Sequence, residues 1–481
     1  MMTQRFAAVD LGAGSGRVIV GSLDAGRWEL AEAHRFPTPA VTVDGHLHWD
    51  VTALLAEISA GLRRAAAGGP LAGVGVDTWG VDYGRLAEGG KLLELPYAYR
   101  DGRTEGAPEA FFGAFPAERW YAETGLQVLP FNTIFQLASA AGDDWSGVET
   151  SLFLPDLLAY WLGGGRHTEL TIASTSGLLD VTRRTWSEPI LAHLRERYGV
   201  DPRFPPLVAP GTVVGDWEGT PVVAVAAHDT ASAVAAVPAA SGDFAYISSG
   251  TWSLVGLELD QPVITAESRA ANFTNELGVD GTVRFLRNVM GLWVLAECRR
   301  VWAEQGLGAD LGALLREAAV LPGLVTVVDM EDERLLPPGD MPGRIAGMAR
   351  ETGQPVPVDP PGVTRCILDS LALDYRRVIR LAGKLSGSAP GVIHIVGGGC
   401  QNRLLNQLTA EATGLPVIAG PAEATALGNV LVQARAVGAL STDLAGLREI
   451  SRASSELTRY VPGHLPLSEN QWLEAAARIV R

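Results

Sequence analysis

The residues of this chain that could carry chemistry are carboxylates set beside glycines. Val9-Asp10-Leu11-Gly12-Ala13-Gly14-Ser15-Gly16-Arg17 follows an apolar run near the start, and His228-Asp229-Thr230 lies far downstream. Ser248-Ser249-Gly250-Thr251-Trp252 and Val396-Gly397-Gly398-Gly399-Cys400-Gln401-Asn402 add two more Gly/Thr-rich turns. Glycine backbone lets N–H groups approach phosphate oxygens closely, and Asp10 beside such a turn is placed to hold a hydrated Mg²⁺. Phosphate-sized turns in both halves, a carboxylate between them and a later glycine triplet describe a nucleotide held in a cleft. The chemistry expected is phosphoryl transfer.

Each motif also has a plainer reading. The first turn is not a dinucleotide fingerprint, because its spacing is G-x-G-x-G followed by Arg17, and β-branched residues occupy the segment that should be helical. No G-x-x-x-x-G-K-[ST] occurs at any of the turns, which excludes a P-loop. What remains is a glycine-rich β-turn, either a phosphate site or a simple hairpin with a solvated Asp10. Asp229 stands at a strand-to-helix junction, where it suits a general base or a helix N-cap, and the two roles are compatible. His228 has no partner cluster of His or Cys and is expected to contact substrate or to support the residues that do, and not to bind metal. Asp77-Thr78-Trp79-Gly80-Val81-Asp82 ends another strand, and Gly80 would admit a polyhydroxy ligand to the backbone. Arg100, Asp101 and Arg103 follow as a polar loop or a surface ion-pair cluster. Trp79, Trp252 and Trp293 are able to stack on a sugar or simply to pack.

The elements that must position these residues form a repeated pattern. Residues 6–11, 18–20 and 28–32 read as strand, strand, strand, with a turn at Asp24-Ala25-Gly26-Arg27. Asp50 is set to cap a helix carrying Val51, Leu54, Leu55, Ile58 and Leu62 at helical spacing, and residues 73–76 return as a strand that ends at Asp77. Residues 244–248 and 252–257 repeat the strand pair. Ile367, Leu371, Tyr375, Val378 and Ala382 mark an amphipathic helix, and residues 392–396 are a strand that feeds the glycine triplet and a helix from Asn402. Residues 237–243 have the composition of a connector. Residues 335–362, rich in Pro and Gly, read as a long surface excursion, and residues 423–429 as the start of a small-residue helix.

The chain is 481 residues long with a net charge of −16, so its surface would repel phosphate backbones and a nucleic-acid role has little support. No apolar run is long enough to span a bilayer and the N-terminus has no apolar signal core, which places the chain in the cytoplasm. Cys298, Cys366 and Cys400 are too few and too scattered for a disulfide framework or a zinc cage.

Taken in order, these blocks resemble the FGGY carbohydrate kinases, within the wider class of actin-like and heat-shock-type ATPases. The likeness runs from about Phe6 to Gly438 and rests on Val9 to Gly12 with Ser15 to Arg17, Asp77 to Asp82, and Tyr99-Arg100-Asp101 with Arg103-Thr104. It continues through His228 to Ser232, Ser249 to Ser253, Asn288 with Met290 to Trp293, Gly397 to Asn402, and Gly420-Pro421 with Glu423-Ala424-Thr425.

The resemblance implies an α/β fold of two ribonuclease-H-like domains flanking a nucleotide and sugar cleft, with a sugar-binding domain over residues 1–240 and an ATP-binding domain over residues 241–481. It implies that Ala13, Gly14, Ser15, Gly16, Arg17, Thr251 and Gly398 touch ATP, and that Asp10 lies near Mg²⁺. Gly80, His228, Asp229, Thr230 and Asn288 would touch the sugar, with Asp229 as proton acceptor. His-Asp where many family members carry Gly-Asp argues against glycerol and D-xylulose as acceptors. The full set of blocks points to L-rhamnulose phosphorylated at O1, with L-fuculose, whose kinases also carry His-Asp-Thr, or L-xylulose as the nearest alternatives. The pattern departs at Ala296, where a Gln that contributes to the nucleotide site is usual. The same nucleotide fold could serve a filament or chaperone-type ATPase, but nothing after Gly438 is long enough for a peptide-binding domain. A sugar sensor without turnover would not need Asp10 and Asp229 together. Monomer and homo-oligomer are equally compatible with these residues.

Overall fold

The computed structural model describes residues 3–24, 27–308 and 310–479, and the turn expected at Ala25-Gly26 lies outside the described residues. The chain divides into two compact units: residues 1–240 with 258–285 and 424–454, and residues 241–257 with 286–423 and 455–481. The break after Ala240 falls in the expected connector, while two later segments belong to the first unit.

In the first unit, strand Gln4–Leu11 pairs antiparallel with Ser15–Asp24, which pairs antiparallel with Arg27–Pro37. On its other side Gln4–Leu11 runs parallel to Gly73–Thr78, followed by Thr220–Ala224 in parallel and Thr212–Trp217 at the edge. Register places Asp10 opposite both Arg17 and Asp77. Beyond the last paired residues, Thr78 N donates to Ala227 O at 2.9 Å and bridges His228. The carboxyl ends of three parallel strands thus carry Asp10, Asp77 and the His228-Asp229 junction to one edge of one sheet. Open α/β sheets place their ligands at that edge.

Helix Val51–Ala67 starts where Asp50 Oδ1 accepts Ala53 N at 2.9 Å, and its Val51, Leu54, Ile58 and Leu62 stripe is buried against the sheet. The stretch between the strands at residues 73–78 and 212–217 folds as short helices and short strands around an aromatic core of Phe111, Trp120, Phe135 and Phe153. Helix Ala424–Ala436 completes the unit by lying against helix Asp229–Ala235. Gln433 Nε2 reaches Ala7 O at 2.9 Å, so this late helix is tied to the first strand.

The second unit repeats the topology. Phe244–Ser249 pairs antiparallel with Trp252–Leu259 and parallel with Val392–Val396, and the sheet goes on to Val417–Ala419 and Thr458–Tyr460. Both units therefore have the ribonuclease-H-like arrangement of an antiparallel hairpin whose first strand starts a parallel series. Helix Pro360–Ser386 buries all five of its expected core residues, and Asn402 Oδ1 caps helix Arg403–Thr413 through Leu405 N at 3.1 Å. The excursion expected over residues 335–362 is partly wrong. It contains helix Met341–Glu351, because Asp340 caps the first turn and Met341, Ile345 and Met348 recur at helical spacing and are buried. Among the described residues no helix is long and apolar enough to cross a membrane.

The close approach of the helices at residues 424–436 and 229–235 depends on Gly428. A methyl group at that position would overlap the Ser232 carbonyl. Gly428→Ala is expected to destabilise the fold by about 1–3 kcal/mol, the usual scale of overpacking, although alanine has the better helix propensity. Urea unfolding of the variant beside wild type measures it.

Candidate active site

Asp10 is 3% exposed, and Arg17 Nη2 on the adjacent strand donates to its Oδ2 at 2.7 Å. Asp77, directly across the parallel pairing, is fully buried. Asn429 Nδ2 donates to Asp77 Oδ2 at 2.6 Å, but Oδ1 is buried without a hydrogen-bond partner. Burial first, and then the charge of Asp10, push the Asp77 carboxyl well above the ordinary aspartate range; Asn429 opposes the rise and Asp229 adds to it. Three aspartates therefore sense one another at this edge, and like charges so placed resist joint ionisation unless a cation joins them. Hard carboxylate oxygens suit Mg²⁺, which typically takes one or two carboxylates together with phosphate oxygens and water. Among the described residues no group of three or more His, Cys, Asp or Glu side chains is arranged to hold a metal ion by itself.

The turn before Arg17 is tight. Gly12 N donates to Ser15 O at 3.1 Å and Thr38 Oγ1 donates to Gly12 O at 2.8 Å. Its residues serve different ends. Gly14 has open space where a side chain would start, whereas a side chain on Gly16 would overlap the Phe36 ring and Leu11. Ser15, Gly16 and Arg17 already belong to the second strand, and Ala13 and Gly14 form the bend, with Gly14 exposed.

Asp229 opens helix Asp229–Ala235 as its first helical residue, and the cap position is His228, which makes no side-chain cap bond. The N-cap reading of Asp229 is thus not met, because its carboxylate turns back on the next residue. Thr230 N at 2.5 Å and Thr230 Oγ1 at 3.1 Å both donate to Asp229 Oδ1, and His228 Nε2 lies 3.4 Å from the same oxygen. No hydrogen bond within the described residues reaches Oδ2. One oxygen is anchored and the other is left to accept a proton, an arrangement that suits a general base. Thr230, expected at the sugar, holds the carboxylate.

The approach to Asp229 is fixed from below. Glu169 accepts Thr171 N at 2.9 Å, Thr171 Oγ1 at 2.5 Å, Ile172 N at 3.1 Å and Ala227 N at 3.0 Å, and His228 N donates to Thr171 Oγ1 at 3.2 Å. Burial outweighs these donors and pushes the Glu169 carboxyl up to about 7.

Gly80 lies against the Thr175 side chain, and the chain then turns sharply. Asp82 N donates to Gly80 O at 2.9 Å across Val81, whose φ is 70°. A β-branched residue in that region is strained and persists only where its surroundings impose it. Here Val81 N donates to Thr175 Oγ1 at 3.2 Å and Thr133 Oγ1 donates to Val81 O at 2.6 Å. Asp82 gathers the rest: Oδ2 accepts Trp49 Nε1 at 2.6 Å, Trp79 Nε1 at 2.9 Å and Tyr99 N at 3.2 Å, and Oδ1 accepts Gln136 Nε2 at 2.9 Å. Gln136 Oε1 in turn accepts Arg103 Nη2 at 3.0 Å. Trp79 packs on Trp49, ring centroids 4.4 Å apart, so its role is packing. Asp101 accepts Leu47 N at 2.8 Å and Arg103 N at 2.9 Å, which makes the polar loop a built corner and not a surface ion-pair cluster.

In the second unit, Gly250 N donates to Trp252 O at 2.8 Å, and Leu292 N and Trp293 N donate to Gly250 O and Thr251 O at 3.1 and 3.2 Å. Thr251 is thereby held against the Gly291 turn, where any side chain would meet the Trp252 backbone. Ser248 stands in register with Val396, which brings the glycine triplet beside this turn. Gly397 has a φ of 80° and Gly399 lies against Ser249, while Gly398 has open space above it. Asn288 is half-buried near the end of strand Val283–Met290, and Trp293 Nε1 donates to Leu335 O at 3.2 Å.

Residues 6–236 match the N-terminal domain, and residues 245–437 the C-terminal domain, of the FGGY family of carbohydrate kinases. The chain belongs to that family. A protein of Bacteroides thetaiotaomicron named rhamnulokinase is 46% identical over 96% of both chains, and one of Enterococcus faecalis with the same name is 41% identical over 90% of both. Among solved structures, a xylulose kinase from Rhodospirillum rubrum superposes with a TM-score of 0.77 at 17% identity, covering 98% of this chain and 97% of that one. Plasmodium falciparum glycerol kinase with ADP gives 0.77 at 14% identity, covering 99% and 97%. At that identity the structures speak for the fold.

Against the FGGY pattern, Ala296 is exposed on the first turn of helix Trp293–Glu304. Neighbouring Glu297 is occupied, accepting Arg300 Nε at 2.9 Å and Gly339 N at 2.7 Å. Residues that sequence reasoning missed are those reaching the strand ends from afar: Glu169, Gln136, Thr175, Glu276, Arg284 and Asn429. Asp77 and Asp82 sat inside a recognised block, and Asn429 at the end of the stretch read as a small-residue helix.

Asp82 gives a test of the site's electrostatics. Burial raises its carboxyl to about 6 in spite of its donors. Folded protein therefore keeps a proton that the unfolded chain has released, so the Asp82 contribution to stability is full below pH about 4 and is lost as pH rises through about 6. Asn has no such proton. The stability of wild type relative to Asp82→Asn is expected to fall by roughly 2 to 2.5 kcal/mol from pH 4 to pH 7, read from urea midpoints at each pH. A gap that does not vary with pH would show that Asp82 is ionised throughout.

Proposed function

We propose that this FGGY kinase phosphorylates L-rhamnulose at O1 with ATP, giving L-rhamnulose 1-phosphate and ADP. The observation that carries the mechanism is the one-sided anchoring of Asp229. Oδ2 takes the proton of the O1 hydroxyl as that oxygen attacks the γ-phosphorus in line and ADP departs. Full-length likeness to proteins named rhamnulokinase supports the acceptor.

Gly80, His228, Asp229, Thr230 and Asn288 are the proposed sugar contacts, with residues 1–240 as the sugar-binding domain. Ala13 to Arg17, Thr251 and Gly398 are the proposed ATP contacts, with residues 241–481 as the ATP-binding domain. The open space over Gly14 and Gly398 supports that reading. Asp10, beside the unpartnered Asp77 Oδ1, would hold Mg²⁺, which when bound offsets charge on the transferring phosphoryl group. Exclusion of water from the reacting centre is essential, since water is itself a competent nucleophile. The reaction is placed in the cytoplasm, where ATP is available.

Asp229→Asn is expected to keep its fold and its ATP binding while losing on the order of 10²- to 10⁴-fold in kcat, the usual value of a general base. Turnover within about threefold of wild type removes Asp229 from the mechanism. The acceptor is tested by kcat/KM over L-rhamnulose, L-fuculose, L-xylulose, D-xylulose and glycerol with Mg²⁺ and ATP. L-Rhamnulose is expected to rank first by a wide margin, because a site built to hydrogen-bond given hydroxyls leaves its own buried groups unpaired with a wrong stereoisomer. A win by L-fuculose or L-xylulose reassigns the acceptor, and no ADP release above the sugar-free rate with any of them overturns the kinase reading.

A further inference from the structure

A second buried cluster touches the candidate catalytic junction through His228. His228, 7% exposed, lies between two carboxylates: Nε2 is 3.4 Å from Asp229 Oδ1 and Nδ1 is 3.3 Å from Glu276 Oε2. Arg284, from strand Val283–Met290, is wholly buried beside both. Its Nη2 is 3.1 Å from Glu276 Oε2 and within hydrogen-bonding reach of His228 Nδ1 at 3.2 Å, and its Nε donates to Leu277 O at 3.1 Å. Burial raises the Glu276 carboxyl, but Arg284 and then His228 outweigh it and hold the group below the ordinary range.

Stability does not explain this pair. Arg284 Nη1 is buried with no hydrogen-bond partner, and a buried ion pair with unmet donors is commonly no better than apolar residues of the same volume. Its geometry has a chemical consequence instead. Where Arg284 Nη2–H donates to Nδ1, in place of an Nδ1–H donated to Glu276 Oε2, that nitrogen accepts, so the neutral ring carries its hydrogen on Nε2, which faces Asp229 Oδ1. That oxygen is the one Thr230 already anchors.

We propose that Glu276 and Arg284 are positioning residues that act through His228: Glu276 holds Arg284, Arg284 fixes the His228 tautomer, and the Nε2–H completes the anchoring of Asp229 Oδ1 so that Oδ2 alone faces the acceptor hydroxyl. This rests on Asp229 being the general base. It also alters the part of His228, whose ring serves the base whether or not it also meets the sugar.

The test compares wild type with Glu276→Gln, Glu276→Asp and the doubly neutral Glu276→Gln/Arg284→Gln, which leaves no buried charge unpaired. Each is measured by kcat and KM for the preferred ketose and for ATP, and by ¹⁵N spectra of histidine-labelled protein, with His228 assigned by difference from His228→Gln. Wild type is expected to show His228 protonated at Nε2. Glu276→Gln and the double variant are expected to lose that single tautomer and roughly ten- to a hundredfold in kcat, the scale seen when groups that orient a reactive side chain are removed, with KM for ATP unchanged. Glu276→Asp is expected to recover part of both. A folded double variant with kcat within about threefold of wild type overturns the proposal, as does a fall in kcat with the tautomer unchanged. If no ketose is turned over by wild type, the function fails by itself, and the tautomer spectra still decide the positioning claim.

Discussion

The constraint on which the rest of the molecule depends is the gathering of Asp10, Asp77 and Asp229 at one sheet edge. Strand register sets Asp10 opposite Asp77, and the junction after Ala227 brings Asp229 beside them. Like charges in a dry place repel, so each carboxylate needs its own compensation. Arg17 supplies it for Asp10, Asn429 in part for Asp77, and Thr230 for Asp229. Asn429 reaches Asp77 only because Gly428 lets its helix lie against the helix that Asp229 begins. A glycine in one helix thereby serves the electrostatics of a strand end.

Two buried aspartates of one sequence block show opposite solutions to burial. Asp82 is surrounded by donors from Trp49, Trp79, Tyr99 and Gln136, and those bonds orient the two tryptophans and hold the strained turn at Val81. Asp77, five residues earlier, keeps an oxygen with no donor at all. A satisfied buried network makes a rigid wall, whereas an unsatisfied polar atom beside Asp10 is a place where a ligand gains more than water could give. The first aspartate is spent on structure, and the second keeps an oxygen free of it.

Much of this was legible in the sequence because it is local. Apolar runs gave the strands at residues 4–11 and 392–396, helical spacing gave the helix at residues 51–67, Asp50 declared its cap and Asn402 the start of the following helix. The glycine turns, Asp10 and Asp229 stood out as candidate phosphate and proton-transfer residues from type and spacing, and the succession of blocks was specific enough for the family. Local reading failed where a local rule had a competitor. Residues 335–362 looked like loop from their Pro and Gly, yet Asp340 and three apolar residues suffice for a helix. Asp229 looked like an N-cap, yet its carboxylate bonds to Thr230 instead of to the helix turn above it.

What only the tertiary structure decided is which distant side chains complete the site. Glu169, Gln136, Glu276, Arg284 and Asn429 are ordinary polar residues in the sequence, with no spacing that ties them to Asp229 or Asp82. Their roles come from burial: once inside, each charge and each N–H must find a partner among whatever the fold brings near, and those partners lie dozens to hundreds of positions apart. The sequence by itself determined the strands and the turns and marked the candidate reactive residues, because those readings depend on neighbours along the chain. The protonation, orientation and available oxygen of each reactive group were decided by the packed interior, because desolvation and hydrogen bonding act through space.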